Sequence, residues 1–151
     1  MTTIAFCGNS IAYDSRTSHK TSIITDSANK HERVIDMDFF CTGPVADIHV
    51  FKAYLSKYRS SVLNPQENHV MPRALKLEVL LVRGKEVYYI EVTDIIKAEP
   101  LQHRYAIGSG ALWATAALDF NKSALEAVQY ACSKDKSTGG NVTEFKIGAS
   151  K

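Results

Sequence analysis

Chemistry first becomes available at the amino terminus. Thr2 follows Met1 directly, and removal of that methionine would leave a hydroxyl and a free α-amine on one residue. Such a residue can serve as nucleophile and base together. A free α-amine has a pKa of about 7.7–8.0 and is partly neutral at cellular pH, unlike an ordinary lysine. The residues that follow read as a hairpin: Thr3–Ala5 and Ile11–Asp14 as apolar strands around a Gly8-Asn9-Ser10 turn. The three cysteines, Cys7, Cys41 and Cys132, lie in apolar runs. Being odd in number, they are expected to be buried free thiols in a reducing compartment.

Thr2 must be positioned by the rest of the chain. At 151 residues the chain is expected to form a single domain, 1–151, large enough for a core of its own. The apolar fraction of 45% and charged fraction of 23% suit a soluble globular protein. A net charge of +2, with Lys, Arg and the five histidines scattered, argues against a nucleic-acid partner. The sequence shows no secretory leader and no apolar run of about 18 residues, so a cytoplasmic location without a membrane partner is expected. No metal or cofactor is expected.

Along the chain, Thr17–Ser22 and Thr25–Asn29 read as a polar surface excursion around Ile23-Ile24. Lys30–Ile35 suits a strand, Asp36-Met37-Asp38 a turn, and Phe39–Thr42 a buried strand. Gly43-Pro44 breaks it. From Val45 the apolar residues recur at helical spacing through Ile48, Phe51 and Leu55. Val62–Arg73 reads as loop, and Leu75–Val82 with Glu86–Val92 as a hairpin around Arg83-Gly84-Lys85. Asp94–Pro100 is expected to be a connection, His103–Ile107 a short strand and Gly108-Ser109-Gly110 a sharp break. Two helices follow, Ala111–Phe120 and about Ala124–Cys132, the second opened by a Ser123/Glu126 capping box. Val142–Ile147 is a closing strand. Strands and helices in groups, rather than in alternation, predict an α+β fold. Its expected form is a four-layer αββα sandwich, two mostly antiparallel sheets between helical layers.

These residues resemble one family. Thr2-Thr3-Ile4 followed by Ile11-Ala12-Tyr13-Asp14-Ser15-Arg16 looks like the opening of a proteasome β subunit or HslV-type peptidase, among the N-terminal-nucleophile hydrolases. Lys30, sixteen positions after Asp14, matches the family's lysine. Thr42-Gly43-Pro44-Val45-Ala46-Asp47 is similar to its glycine turn into a helix. Ala106-Ile107-Gly108-Ser109-Gly110 resembles its Ile-Gly-Ser-Gly element, and Asp135-Lys136-Ser137-Thr138-Gly139-Gly140 its Asp-x-x-Ser-Gly-Gly loop. The set covers most of the chain in the family's order. It departs from the family in its short opening hairpin, in Pro44, and in lacking a second long helix after the first.

The resemblance implies a threonine-type endopeptidase. Thr2 would be the nucleophile, with Lys30 charged beside it, Asp14 holding Lys30, and Gly43 offering its amide to the oxyanion. Such a donor is commonly worth about 10²–10³ in rate. Ser109, Asp135 and Thr138 would hold the terminal amine. Ser18, Ala28, Cys41 and Val45 would line the substrate side-chain pocket. The implied partners are a peptide or unfolded-protein substrate, further copies forming a homo-oligomeric ring, and an ATP-dependent unfoldase. Maturation is expected to need only loss of Met1. Two other functions stay open: a small-molecule amidase, and a silent structural or assembly subunit on the same fold.

Overall fold

A computed structural model describes residues 2–19 and 22–148. Met1, on whose removal the expected chemistry depends, lies outside the described residues, as do Lys20 and Thr21 of the polar excursion. The chain divides into two compact units, one of residues up to Lys30 with those from Gln102 onward, the other His31–Leu101.

The first unit is built on a four-stranded antiparallel sheet: β1 (Thr3–Phe6), β2 (Ser10–Tyr13), β10 (Tyr105–Gly108) and β11 (Thr143–Lys146), in the order β10-β1-β2-β11. Strand periodicity sorts its side chains. Ala5 stands opposite both Ala106 and Ala12, so three alanines lie side by side as a low shelf. Helices α2 (Ala111–Asp119) and α3 (Ala124–Lys134) pack on it through Ala114, Ala117, Ala127, Val128 and Ala131, all buried. Small residues on both sides let helix and sheet backbones approach closely. The α3 capping box forms as expected. The Ser123 hydroxyl accepts from Glu126 N at 3.1 Å, and the Glu126 carboxylate from Ser123 N at 3.1 Å.

The second unit carries a five-stranded antiparallel sheet, β5 (His31–Val34), β6 (Met37–Thr42), β7 (Leu77–Arg83), β8 (Glu86–Val92) and β9 (Ile96–Pro100), paired in chain order. Helix α1 (Val45–Tyr58) buries Phe51 and Leu55 among Phe39, Cys41, Val79, Leu81 and Ile90. Phe39 and Phe51 meet edge to face with centroids 5.6 Å apart.

The expected four-layer sandwich is corrected here. The described residues hold eleven strands in three sheets against three α-helices, so the fold is strand-rich. Two stretches read as irregular are strands. The polar excursion forms a small sheet of its own, β3 (Thr17–His19) with β4 (Ser22–Thr25). Ile96–Pro100 pairs with β8 throughout. It is an edge strand, where Pro100 is tolerated without an amide proton. After α1 the chain makes only a 3₁₀ turn, Arg59–Leu63, begun where Arg59 turns to φ 53°. Asp36 makes the β5–β6 turn with Ile35, at φ 57°, while Met37 and Asp38 already belong to β6.

Candidate active site

Six of the sequence-predicted residues, Thr2, Asp14, Lys30, Ser109, Asp135 and Thr138, lie in the first unit, and hydrogen bonds tie them together. The opening hairpin does the first part of this work. Thr3 and Ala5 share one face of β1, while Asp14 continues the parity of Ala12 from β2. The hairpin pairing runs on past the strand ends, with Asp14 N donating to Thr3 O at 3.3 Å.

The Asp14 carboxylate is fully buried and accepts four hydrogen bonds. Its Oδ1 takes Lys30 Nζ at 2.6 Å and Thr3 N at 3.1 Å. Its Oδ2 takes Gly139 N at 3.0 Å and Arg16 N at 3.3 Å. The four donors repay the cost of taking the carboxylate out of water. Lys30 Nζ also donates to Arg16 O at 2.7 Å. Burial pulls the Lys30 ammonium below the ordinary lysine value, and the charge of Asp14 beside it pulls the other way. One carboxylate oxygen thus links the lysine to the peptide bond that joins Thr2 and Thr3.

The Thr2 carbonyl is held from the other side. Ser109 N donates to Thr2 O at 2.8 Å, and Gly108 explains why the approach is possible. Its φ is +98°, and a Cβ there would lie 1.7 Å from Thr2 O. No other residue fits that position. Ser109 Oγ then donates to Asp135 Oδ2 at 2.6 Å, an oxygen that also accepts Thr138 Oγ1 at 2.7 Å. Asp135 Oδ1 takes Ser137 N at 3.2 Å. Burial works to raise the Asp135 pKa. The donors Ser109, Thr138 and Ser137 outweigh it and hold the carboxyl below the ordinary aspartate value.

The other expected residues take the following places. Ser18 sits on β3, and the Ala28 amide donates to Ser15 O at 2.9 Å. Gly43, Cys41 and Val45 belong to the second unit. Gly43 has φ +144°, and a Cβ would lie 2.5 Å from Lys76 O and 2.6 Å from a Leu77 methyl. Packing of its own unit therefore requires the glycine. Cys41 lies in the core beneath α1, where burial pushes its thiol far up. Val45 is exposed at the start of α1. Among the described residues no cluster of His, Cys, Asp and Glu is placed to hold a metal ion, and no helix is long and apolar enough to cross a membrane. A separate concavity of about 430 Å³ between α2 and α3, lined by Ala117, Phe120 and Tyr130 among others, contains none of the expected site residues.

Sequence reading assigned no role to Thr3, Gly108 or Gly139. Thr3 Oγ1 lies 2.6 Å from Thr138 Oγ1 in full burial. Its signal was available in the strand parity that sets Thr3 beside Ala5. The signal for Gly108 was its place next to Ser109. Gly139 had none beyond its turn composition.

No family model matches the chain, and no curated protein matches its sequence. Solved structures do. A Thiobacillus denitrificans protein, BPH in complex with epoxomicin, is similar with a TM-score of 0.68 at 18% identity, over 99% of each chain. A structure of Thiobacillus denitrificans BPH matches with a TM-score of 0.69 at 16% identity, over 95% of each chain. At this identity the likeness establishes a shared fold over essentially the whole length.

Proposed function

We propose that the chain is an N-terminal threonine hydrolase, a peptidase of the proteasome β-subunit and HslV type. Thr2 Oγ1 attacks the substrate carbonyl while the Thr2 α-amine takes the hydroxyl proton. The amine then passes that proton to the departing nitrogen, leaving the acyl group as an ester on Thr2. Water attacks the ester by the reverse sequence and restores the hydroxyl. Lys30 supplies positive charge beside the amine, which favours its neutral form and the developing alkoxide. Peptide is the proposed substrate, within a homo-oligomeric ring served by an unfoldase.

One observation carries this reading: a fully buried Asp14 carboxylate joins the Lys30 ammonium to the amide after Thr2 through a single oxygen. That oxygen ties the buried lysine to the peptide bond that carries Thr2. The likeness to a protein captured with epoxomicin supports the same reading. The test is intact mass of the protein before and after an electrophilic peptide label, with epoxomicin as the first compound. Loss of Met1 and one adduct per chain, mapped to Thr2 and missing in Thr2→Ala, are expected. Retained Met1 with no adduct would overturn the proposal.

A further inference from the structure

Arg16 occupies the irregular link between β2 and β3 and serves the Asp14–Lys30 pair with its main chain. Its amide donates to Asp14 Oδ2 at 3.3 Å and its carbonyl accepts Lys30 Nζ at 2.7 Å. Its side chain is engaged on both flanks. Nε and Nη2 grip the two oxygens of Asp26 at 2.8 and 3.2 Å, and Nη1 donates to Lys136 O at 2.9 Å. Gly139 lies directly beneath the guanidinium, for a Cβ there would be 2.4 Å from Arg16 Cζ. Gly139 in turn sends its amide to Asp14 Oδ2 at 3.0 Å. The 135–140 loop, the 26–30 segment and the Asp14 turn are thus bolted together by one planar group, alongside Ser15, whose hydroxyl donates to Asp26 O at 2.7 Å.

We propose that Arg16 is a positioning residue whose forked side chain holds its own carbonyl on Lys30 and the Gly139 amide on Asp14. It touches no reacting atom. Of the ladder contacts in this link, Ser15 N donates to Gly139 O at 3.1 Å and Ser15 O accepts from Ala28 N at 2.9 Å. Those bonds end on Ser15, and the β3–β4 pairing begins at Thr17. The guanidinium anchors Arg16 between them, and lysine cannot replace it, because a single ammonium lacks the fork that spans Asp26 while reaching Lys136 O. The inference rests on the reading of Lys30 as the charged group beside Thr2.

The test separates the two. The charged and titratable groups facing Lys30 are Asp14, Asp26 and, from α3, Cys132. Lys30 is followed by NMR on protein carrying ¹³C-labelled lysine, through a pH titration that needs no catalysis. The carbonyl of Arg16 stabilises the charged amine, so its loss lowers the Lys30 pKa. In folded Arg16→Lys, which keeps the positive charge that Arg16→Gln would remove and so isolates the fork, the titration should move down by about one pH unit. In the labelling reaction the alkaline limb should move with it, at little change in ligand affinity. A Lys30 titration that stays in place in the folded variant would overturn the proposal. Should Arg16→Lys fail to fold, Asp26→Asn breaks the fork but also removes a charge that raises the Lys30 pKa; in about 1 M salt, which screens that charge, the titration should still move down, and no movement there would overturn the proposal equally. If wild type never labels while the Lys30 titration moves as expected, the peptidase reading fails and the positioning role stands.

Discussion

Thr3 Oγ1 and Thr138 Oγ1 are 2.6 Å apart in full burial, and Asp135 decides which of them donates. Thr138 has one hydroxyl proton, and it goes to Asp135 Oδ2 at 2.7 Å. Thr3 must therefore donate to Thr138. The chain of hydroxyls runs one way, from the start of the chain to the end of α3.

Replacing Thr138 by valine keeps its shape and removes the acceptor. The Thr3 hydroxyl is then buried unpaired, at an expected cost of about 1–3 kcal/mol in urea unfolding. Thr138→Ser keeps the relay and loses one methyl, and should cost about 1 kcal/mol. Equal losses for the two variants would show that the relay contributes nothing.

Asp135 gives the same loop an acid sensitivity. Its pKa is depressed in the folded state, so near that value the unfolded chain binds more protons. The stability it contributes is fully present above the ordinary aspartate pKa of about 3.9. It is lost as pH falls through the lower folded value. Unfolding midpoints of wild type and Asp135→Asn should differ at pH 5 and converge as pH falls through the lowered folded value. A gap that persists into acid would contradict this assignment.

Asp14→Ala strands the Lys30 ammonium against the buried Thr3 amide. Breaking one side of a buried pair costs about 3–5 kcal/mol, which chemical denaturation should register. Lys30 leaves a signature in alkali. Its folded pKa lies below 10.5, so the unfolded chain holds the proton longer as pH rises. The lysine's contribution therefore becomes more favourable from the folded pKa up to 10.5. Lys30→Met should lack that rise.

Gly108→Ala places a methyl 1.7 Å from Thr2 O, so the β1–β10 edge must part or the chain must fail to fold. A loss of at least about 4 kcal/mol is expected. Gly84→Ala is the control. Its φ of +64° is also left-handed, but nothing lies within 4 Å of the added carbon. It should cost about 1–2 kcal/mol. Comparable losses would mean that φ, rather than the Thr2 carbonyl, demands Gly108.

Much of the local structure follows from periodicity. The hairpin around Gly8, the helical run from Val45 and the Ser123/Glu126 box are set by residues within a few positions of one another. So is the parity that puts Thr3 and Asp14 on the face of Ala5 and Ala12. The order of Thr2, Asp14, Lys30, Ser109, Asp135 and Thr138 was likewise legible, as was the resemblance it carries. Strand-rich architecture was not. Thr17–His19 and Ser22–Thr25 are too polar to read as strands, and Ile96–Pro100 is one only because β8 offers it an edge. The wiring of the site also waited for the fold. Thr3 meets Thr138 across 135 positions and Asp14 meets Gly139 across 125. The fork of Arg16 closes on Asp26 and on Lys136, 10 and 120 positions away. Pattern and propensity act over one or two turns of chain. A contact between its two ends exists only once an alanine shelf has brought α3 down onto the first two strands.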